Sequence, residues 1–188
     1  MKIKGIHFWY HLKVFLRRPN YSNKVFCIGY NKTGTTSCGK AFRLLGYNNL
    51  SYNEQLFREE YKQEHFLKLL NYASKFDSFD DLPWLREDMI PLLDKVFPNS
   101  KFVYLEREEE SWKKSYYNWV FKQTGQYPDL EVGLAAYRAH RAFVMDYFKD
   151  RKEDLLIISV FESDSFVRLA KFLGKETTHT QMPHENKT

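Results

Sequence analysis

Two cysteines among 188 residues are too few for a disulfide framework or a zinc cluster, and no metal-ligand spacing occurs elsewhere, so no metal is expected. Cys27 lies in an apolar run and Cys38 on the segment behind it, places typical of buried thiols, and a reducing cytoplasm is the expected compartment. Long apolar runs are also missing. Residues 3–17 mix apolar, aromatic and basic side chains in a short amphipathic helix before Pro19, within an N-terminal segment of 1–20. His7, His11 and Lys13 interrupt it, it has no small-residue cleavage site, and it is too short and polar to span a bilayer. Packing against the domain is its expected role, with contact at a membrane surface as the alternative. The formal charge of +5 invites a nucleic-acid partner, but lysine and arginine alternate with acidic residues and no nucleic-acid-binding signature is present, so none is expected. Repeats, low-complexity tracts and interdomain linkers are absent, which suits one domain over residues 1–188.

What the chain does contain is an apolar strand leading into a loop built for an anion. Val25 to Ile28 read as a buried strand, and Gly29 breaks it where the backbone turns. Thr35, Thr36 and Ser37 suit the cap and first turn of a helix whose apolar face, Ala41, Phe42, Leu44 and Leu45, ends at Gly46. Helix N–H groups, the helix dipole, three hydroxyls and the Lys32 ammonium converge there, and phosphate or sulfate is the natural occupant.

The lysine position decides what kind of site this is. A Walker A loop places lysine directly after its second glycine. Here Gly29 and Gly34 keep the glycine spacing, but Thr35 takes the lysine position and Lys32 precedes Gly34 by two residues. That argues against an ordinary nucleotide triphosphatase. The segment resembles the 5′-phosphosulfate loop of the sulfotransferases, where a Lys-[Ser/Thr]-Gly-Thr-Thr stretch grips 3′-phosphoadenosine 5′-phosphosulfate (PAPS). The resemblance implies that Lys32, Thr33, Gly34, Thr35, Thr36 and Ser37 bind this donor.

A second segment extends the resemblance. Phe102 to Leu105 read as another buried strand, Arg107 stands at its carboxyl end and Ser115 lies eight residues on, the pair that in sulfotransferases binds the 3′-phosphate. A planar fork of charged donors beside a hydroxyl suits that phosphate. Near the C-terminus, Phe172-Leu173-Gly174-Lys175 and Pro183-His184-Glu185-Asn186 match a third family element. It implies that the tail, 175–188, closes over the nucleotide through His184, Asn186 and Lys187. The family's Val-Arg-Asp-Pro is here Glu106-Arg107-Glu108-Glu109, which brings carboxylates close to an anion site. Glu108, Glu109 and Glu110 are explained as first-turn residues of the next helix. Glu106 is either substrate-facing or structural.

The coarse pattern alternates: strand 24–29, helix 36–45, helical region 53–72, strand 76–80, helix 84–96, strand 102–106, helices 109–123 and 130–150, strand 155–160, helix 163–173. Four buried strands with helical crossovers predict a single-domain, three-layer, P-loop-like α/β fold with a central parallel sheet flanked by helices. Gly29, Asp80, Asp81 and Arg107 then fall at strand carboxyl ends around one crevice. The resemblance implies transfer of a sulfuryl group from PAPS to a hydroxyl or amine of a small-molecule or glycan acceptor, releasing 3′,5′-ADP, with Lys32 stabilising the leaving phosphate. Asp81 is the best-placed base, with His7, His11, Glu54, Glu60 and Glu106 as rivals and a helix cap near Trp84 as its alternative role. Tyr116, Tyr117, Trp119, Phe121 and Tyr127 either line an acceptor pocket or pack in the core. A small-molecule kinase, with Glu106 imitating a Walker B carboxylate, and a non-catalytic nucleotide-binding module are the competing functions.

Overall fold

Alternation along the central strands sets the layering. The computed structural model describes residues 17–183, so most of the N-terminal helix expected over 3–17, and with it His7 and His11, lies outside the described residues, as do His184, Asn186 and Lys187. Val25 and Cys27 point into one apolar cluster while Phe26 and Ile28 point into another, and Val103 and Leu105 alternate with Phe102 and Tyr104 in the same way. Period-2 alternation between two apolar surfaces is what a strand covered on both faces requires.

Five strands result: β1 (Val25–Cys27), β2 (Asn49–Leu50), β3 (Ser78–Phe79), β4 (Lys101–Leu105) and β5 (Leu155–Ile158). All pairings are parallel, in the order β2-β3-β1-β4-β5, with Phe26 opposite Phe79 on one side and Phe102 on the other. Among the described residues six α-helices accompany them: α1 (Thr35–Leu44), α2 (Phe66–Ala73), α3 (Met89–Val96), α4 (Glu109–Thr124), α5 (Leu130–Tyr147) and α6 (Ser165–Phe172). Leu69, Ile90, Leu93, Val144 and Phe148 bring α2, α3 and the α5 end onto the Phe26 face, while Ala41, Phe42, Phe166 and Leu169 bring α1 and α6 onto the Val25 face. The architecture is the three-layer α/β fold expected, and its parallel strands gather every carboxyl end on one edge.

The structure corrects several element boundaries. The sheet has five strands rather than four, because β2 is an edge strand of two residues. Residues 84–88 form turns and a short irregular stretch, and α3 starts at Met89, which keeps Pro91 in the first turn. A helix from Trp84 would have put that proline in its interior, where it lacks a donor and clashes with the preceding turn. The region 53–72 divides into a π-helical turn, Leu56–Tyr61, and α2, separated at Glu64, whose φ of 57° no helix tolerates.

At the amino edge of the sheet Lys24 is 1% exposed, and its ammonium donates to the carbonyls of Ser74 and Phe76. Burial lowers its pKa to about 8. At the C-terminal side, Lys175 to Pro183 form no regular element but are tied down: Phe166 N–H donates to Thr180 O and Met182 is buried in the α1/α6 cluster. Among the described residues no helix is long and apolar enough to cross a membrane.

Candidate active site

The loop from Gly29 to Gly34 joins β1 to α1, and its glycines are there for space. A Cβ on Gly29 would stand 2.7 Å from both Leu105 Cβ and Thr33 Oγ1. Gly34 has φ 110°, and its Cβ would meet Val160 Cγ2 at 2.7 Å. Gly34 is also the N-cap of α1, in place of the hydroxyl residue expected, and no side chain caps the helix. Helix geometry leaves the first N–H groups without intrahelical acceptors, so an uncapped start directs them outward as anion donors.

The candidate hydroxyls divide. Thr33 is fully buried and donates to Tyr30 O at 2.7 Å, so it staples the loop rather than facing a ligand. Thr35 and Ser37 are buried on the first turn of α1, and Thr36 is exposed. Lys32 occupies the left-handed region at φ 71°, is partly buried, and holds its ammonium over the Trp119 ring, 5.5 Å from the centroid. Burial lowers its pKa, and the Arg107 charge adds to the effect while Asp81 opposes it.

Arg107 reaches the loop directly. Its Nη1 donates to Lys32 O at 2.8 Å and its Nε to Ser111 Oγ at 3.0 Å, while the guanidinium lies 5.1 Å from the centroid of Phe161. Tyr137 accepts from Arg107 N–H and donates to Arg107 O, fixing the backbone on which that fork is mounted. Ser115, the serine expected beside Arg107, is buried one turn beyond Ser111 on α4. Ser111 is the hydroxyl that touches the guanidinium, and its four-residue spacing from Arg107 was the available signal.

The carboxylates around Arg107 are all engaged. Glu108 is the N-cap of α4 and accepts from the N–H groups of Glu110 and Ser111, Glu109 pairs with Arg138, and Glu110 with Lys113. Glu106 accepts from Arg141 Nε at 2.9 Å, and both side chains line the cleft beside Arg107. A cleft of about 400 Å³ opens beside these groups, walled by Arg107, Tyr137, Arg141, Ser159 and Glu162.

Asp80 and Asp81 follow β3 at the same edge. Asp80 is buried, accepts from Asn49 Nδ2 and Ser51 Oγ, and has its pKa raised by burial to about 6. Asp81 is partly buried at φ 70°, and its Oδ1 accepts from Leu82 N–H. It is not the cap of α3, which starts eight residues later. Burial raises its pKa and the Lys32 charge opposes this, so the two groups share one electrostatic neighbourhood.

Two anion-receptive segments thus meet at one edge of a parallel sheet. A family model described as a sulfotransferase domain matches residues 24–132 and 116–188. The chain belongs to the sulfotransferase domain family. No curated protein matches it at a significant level. Among solved structures, the sulfotransferase domain from the Synechococcus PCC 7002 olefin synthase is similar, with a TM-score of 0.55 and 13% identity over 85% of this chain and 76% of that one. At that identity the likeness speaks for the fold.

A sulfotransferase domain is a transferase, and the residues present fit an anionic donor: an uncapped helix start, a lysine, an arginine fork and glycines that leave no room for a Cβ. The aromatic residues of this sulfotransferase domain divide between packed and exposed positions. Tyr116 stacks on buried Trp112 at 4.7 Å, whereas Trp119, Phe121 and Tyr127 are exposed near the Lys32 side of α4 or at its end.

Proposed function

We propose that this sulfotransferase domain moves a sulfuryl group from PAPS to a hydroxyl or amine of a small-molecule or glycan acceptor and releases 3′,5′-ADP. The observation that carries the reading is the Arg107–Lys32 hydrogen bond, which joins the loop suited to a 5′-phosphate to a fork suited to a 3′-phosphate. PAPS supplies a sulfuryl group on a phosphate leaving group. Lys32, Gly34, Thr35, Thr36 and Ser37 would hold the 5′ side, and Arg107 with Ser111 and Ser115 the 3′ side.

Lys32, with the N–H groups at the start of α1, stabilises the charge that grows on the bridging oxygen as the sulfur–oxygen bond to phosphate breaks. Asp81 takes the proton of the acceptor as its oxygen or nitrogen bonds to sulfur. Burial suits it to that task, since a carboxylate with a raised pKa is a stronger base. Trp119, whose exposed ring lies beside the Lys32 ammonium, would contact the acceptor.

Calorimetric titration with 3′,5′-ADP, beside 5′-AMP and ATP and without metal, tests the reading. Binding of 3′,5′-ADP in the micromolar range, tighter than 5′-AMP and lost in Arg107→Ala, supports it and justifies screening acceptors with labelled PAPS. Equal or tighter binding of ATP returns the kinase function to the front.

A further inference from the structure

Four carbonyl groups at the start of the anion loop accept hydrogen bonds from side chains. Ile28 O accepts from His140 Nε2 at 2.8 Å, Tyr30 O from Thr33 Oγ1, Asn31 O from Trp112 Nε1 at 2.8 Å, and Lys32 O from Arg107. Thr33 is local and Arg107 belongs to the site itself. Trp112 and His140 are neither. They lie on α4 and α5, are 0% and 1% exposed, and stand 81 and 112 residues from the carbonyls they hold.

The geometry of a peptide gives these two bonds a consequence. In a trans peptide the C=O and the following N–H point in opposite directions. Donors that draw the carbonyls of Ile28 and Asn31 toward the α4–α5 hairpin therefore turn the N–H groups of Gly29 and Lys32 away from it. A carbonyl only accepts, so His140 carries its proton on Nε2, and its Nδ1 faces Glu87 Oε1 at 3.6 Å. The His140 ring also lies 5.3 Å from Tyr30, the second residue of the loop.

We infer that Trp112 and His140 are positioning residues of the donor site, which hold the loop in the conformation that receives phosphate. This rests on the proposed nucleotide reading of that loop. Neither residue touches the ligand. Each acts through a backbone carbonyl, so losing either donor frees the loop to rotate and lowers affinity without removing any ligand contact.

The full chain and the variants Trp112→Phe, His140→Leu, His140→Gln and Trp84→Phe are compared by thermal denaturation without ligand and by calorimetry with 3′,5′-ADP. Trp84 is the matched control: it is 1% exposed and its indole N–H has no partner among the described residues, so Trp84→Phe removes the same atoms without releasing a carbonyl. Trp112→Phe keeps a ring to stack on Tyr116 and Tyr137. The expected result is a rise of about tenfold in Kd for Trp112→Phe and His140→Leu, the scale of one net buried hydrogen bond. His140→Gln, which keeps a donor at comparable reach, recovers most of the affinity, and Trp84→Phe lowers the melting temperature but leaves Kd unchanged. Wild-type Kd values in folded Trp112→Phe and His140→Leu would overturn the positioning role alone. Absence of binding by the unsubstituted chain would remove the nucleotide reading and this inference with it.

Discussion

Arg107 Nη1 and the carbonyl oxygen of Lys32 are 2.8 Å apart, so the strand-end arginine is fastened to the loop that carries the lysine. One side chain spans two sites. Arg107→Lys keeps the charge but has no fork to reach Lys32 O and Ser111 Oγ together. The expected outcome is a rise in Kd for 3′,5′-ADP of about tenfold or more, read by calorimetry, with 5′-AMP less affected.

Lys32→Met removes the ammonium while keeping the length of the side chain. Turnover with labelled PAPS should fall by roughly 10²–10³, the range seen when one stabilising donor is lost. Trp119→Ala removes the ring beneath that ammonium, and here the acceptor KM should rise while the PAPS KM changes little. An unchanged acceptor KM would take Trp119 out of the acceptor site.

Asp81 sits at φ 70°, a conformation asparagine tolerates, so Asp81→Asn tests the carboxylate without straining the backbone. Turnover should fall by about 10²–10⁴. A base must be ionised to act, and burial raises this pKa, so the acid limb of the wild-type pH–rate profile is displaced upward from that of an ordinary aspartate. That limb disappears in Asp81→Asn. A variant that keeps both rate and limb excludes Asp81 as the base.

Asp80 makes a prediction about stability. Its folded pKa is about 6 against an ordinary value of 3.8, a raised value, so its contribution is fully present below 3.8 and is lost as pH rises through 6. Above pH 6 the buried charge costs on the order of 3 kcal/mol at most. Denaturant unfolding at pH 5 and pH 7.5 should therefore show Asp80→Asn gaining on the wild type at the higher pH. Asparagine can still bond Ser51, because the serine hydroxyl accepts as well as donates.

Gly34→Ala combines two faults, a φ of 110° and a contact with Val160. A loss of about 1–3 kcal/mol in unfolding free energy is expected. Gly34→Ala with Val160→Ala relieves the contact but not the backbone, so the double variant recovers only part of the stability.

The sequence disclosed what depends on neighbours in the chain. β1, β4 and the Gly29–Gly34 loop were legible because short unbroken apolar runs and paired glycines are local signals. Pro91 is the local signal for the start of α3, since a proline fits the first turn and not the interior. β2 has two residues, one of them an asparagine, too few for any periodicity to register. The partners of the site were hidden for another reason. Glu106 meets Arg141 across 35 residues, and Asn31 meets Trp112 across 81, distances at which only the assembled sheet decides which side chains are neighbours. Gly34 took the N-cap position from the hydroxyl residues because Val160 leaves no room for a Cβ there.

β1 comes first in the described chain yet lies at the centre of the sheet, and both strands beside it are made later. On the ribosome, Val25 to Cys27 emerge as an apolar strand with nothing to pair with until β3 and then β4 have followed. The loop carbonyls acquire their last distant partner only when His140 leaves the exit tunnel. A nascent chain released before that point holds the whole loop sequence and lacks the frame that shapes it.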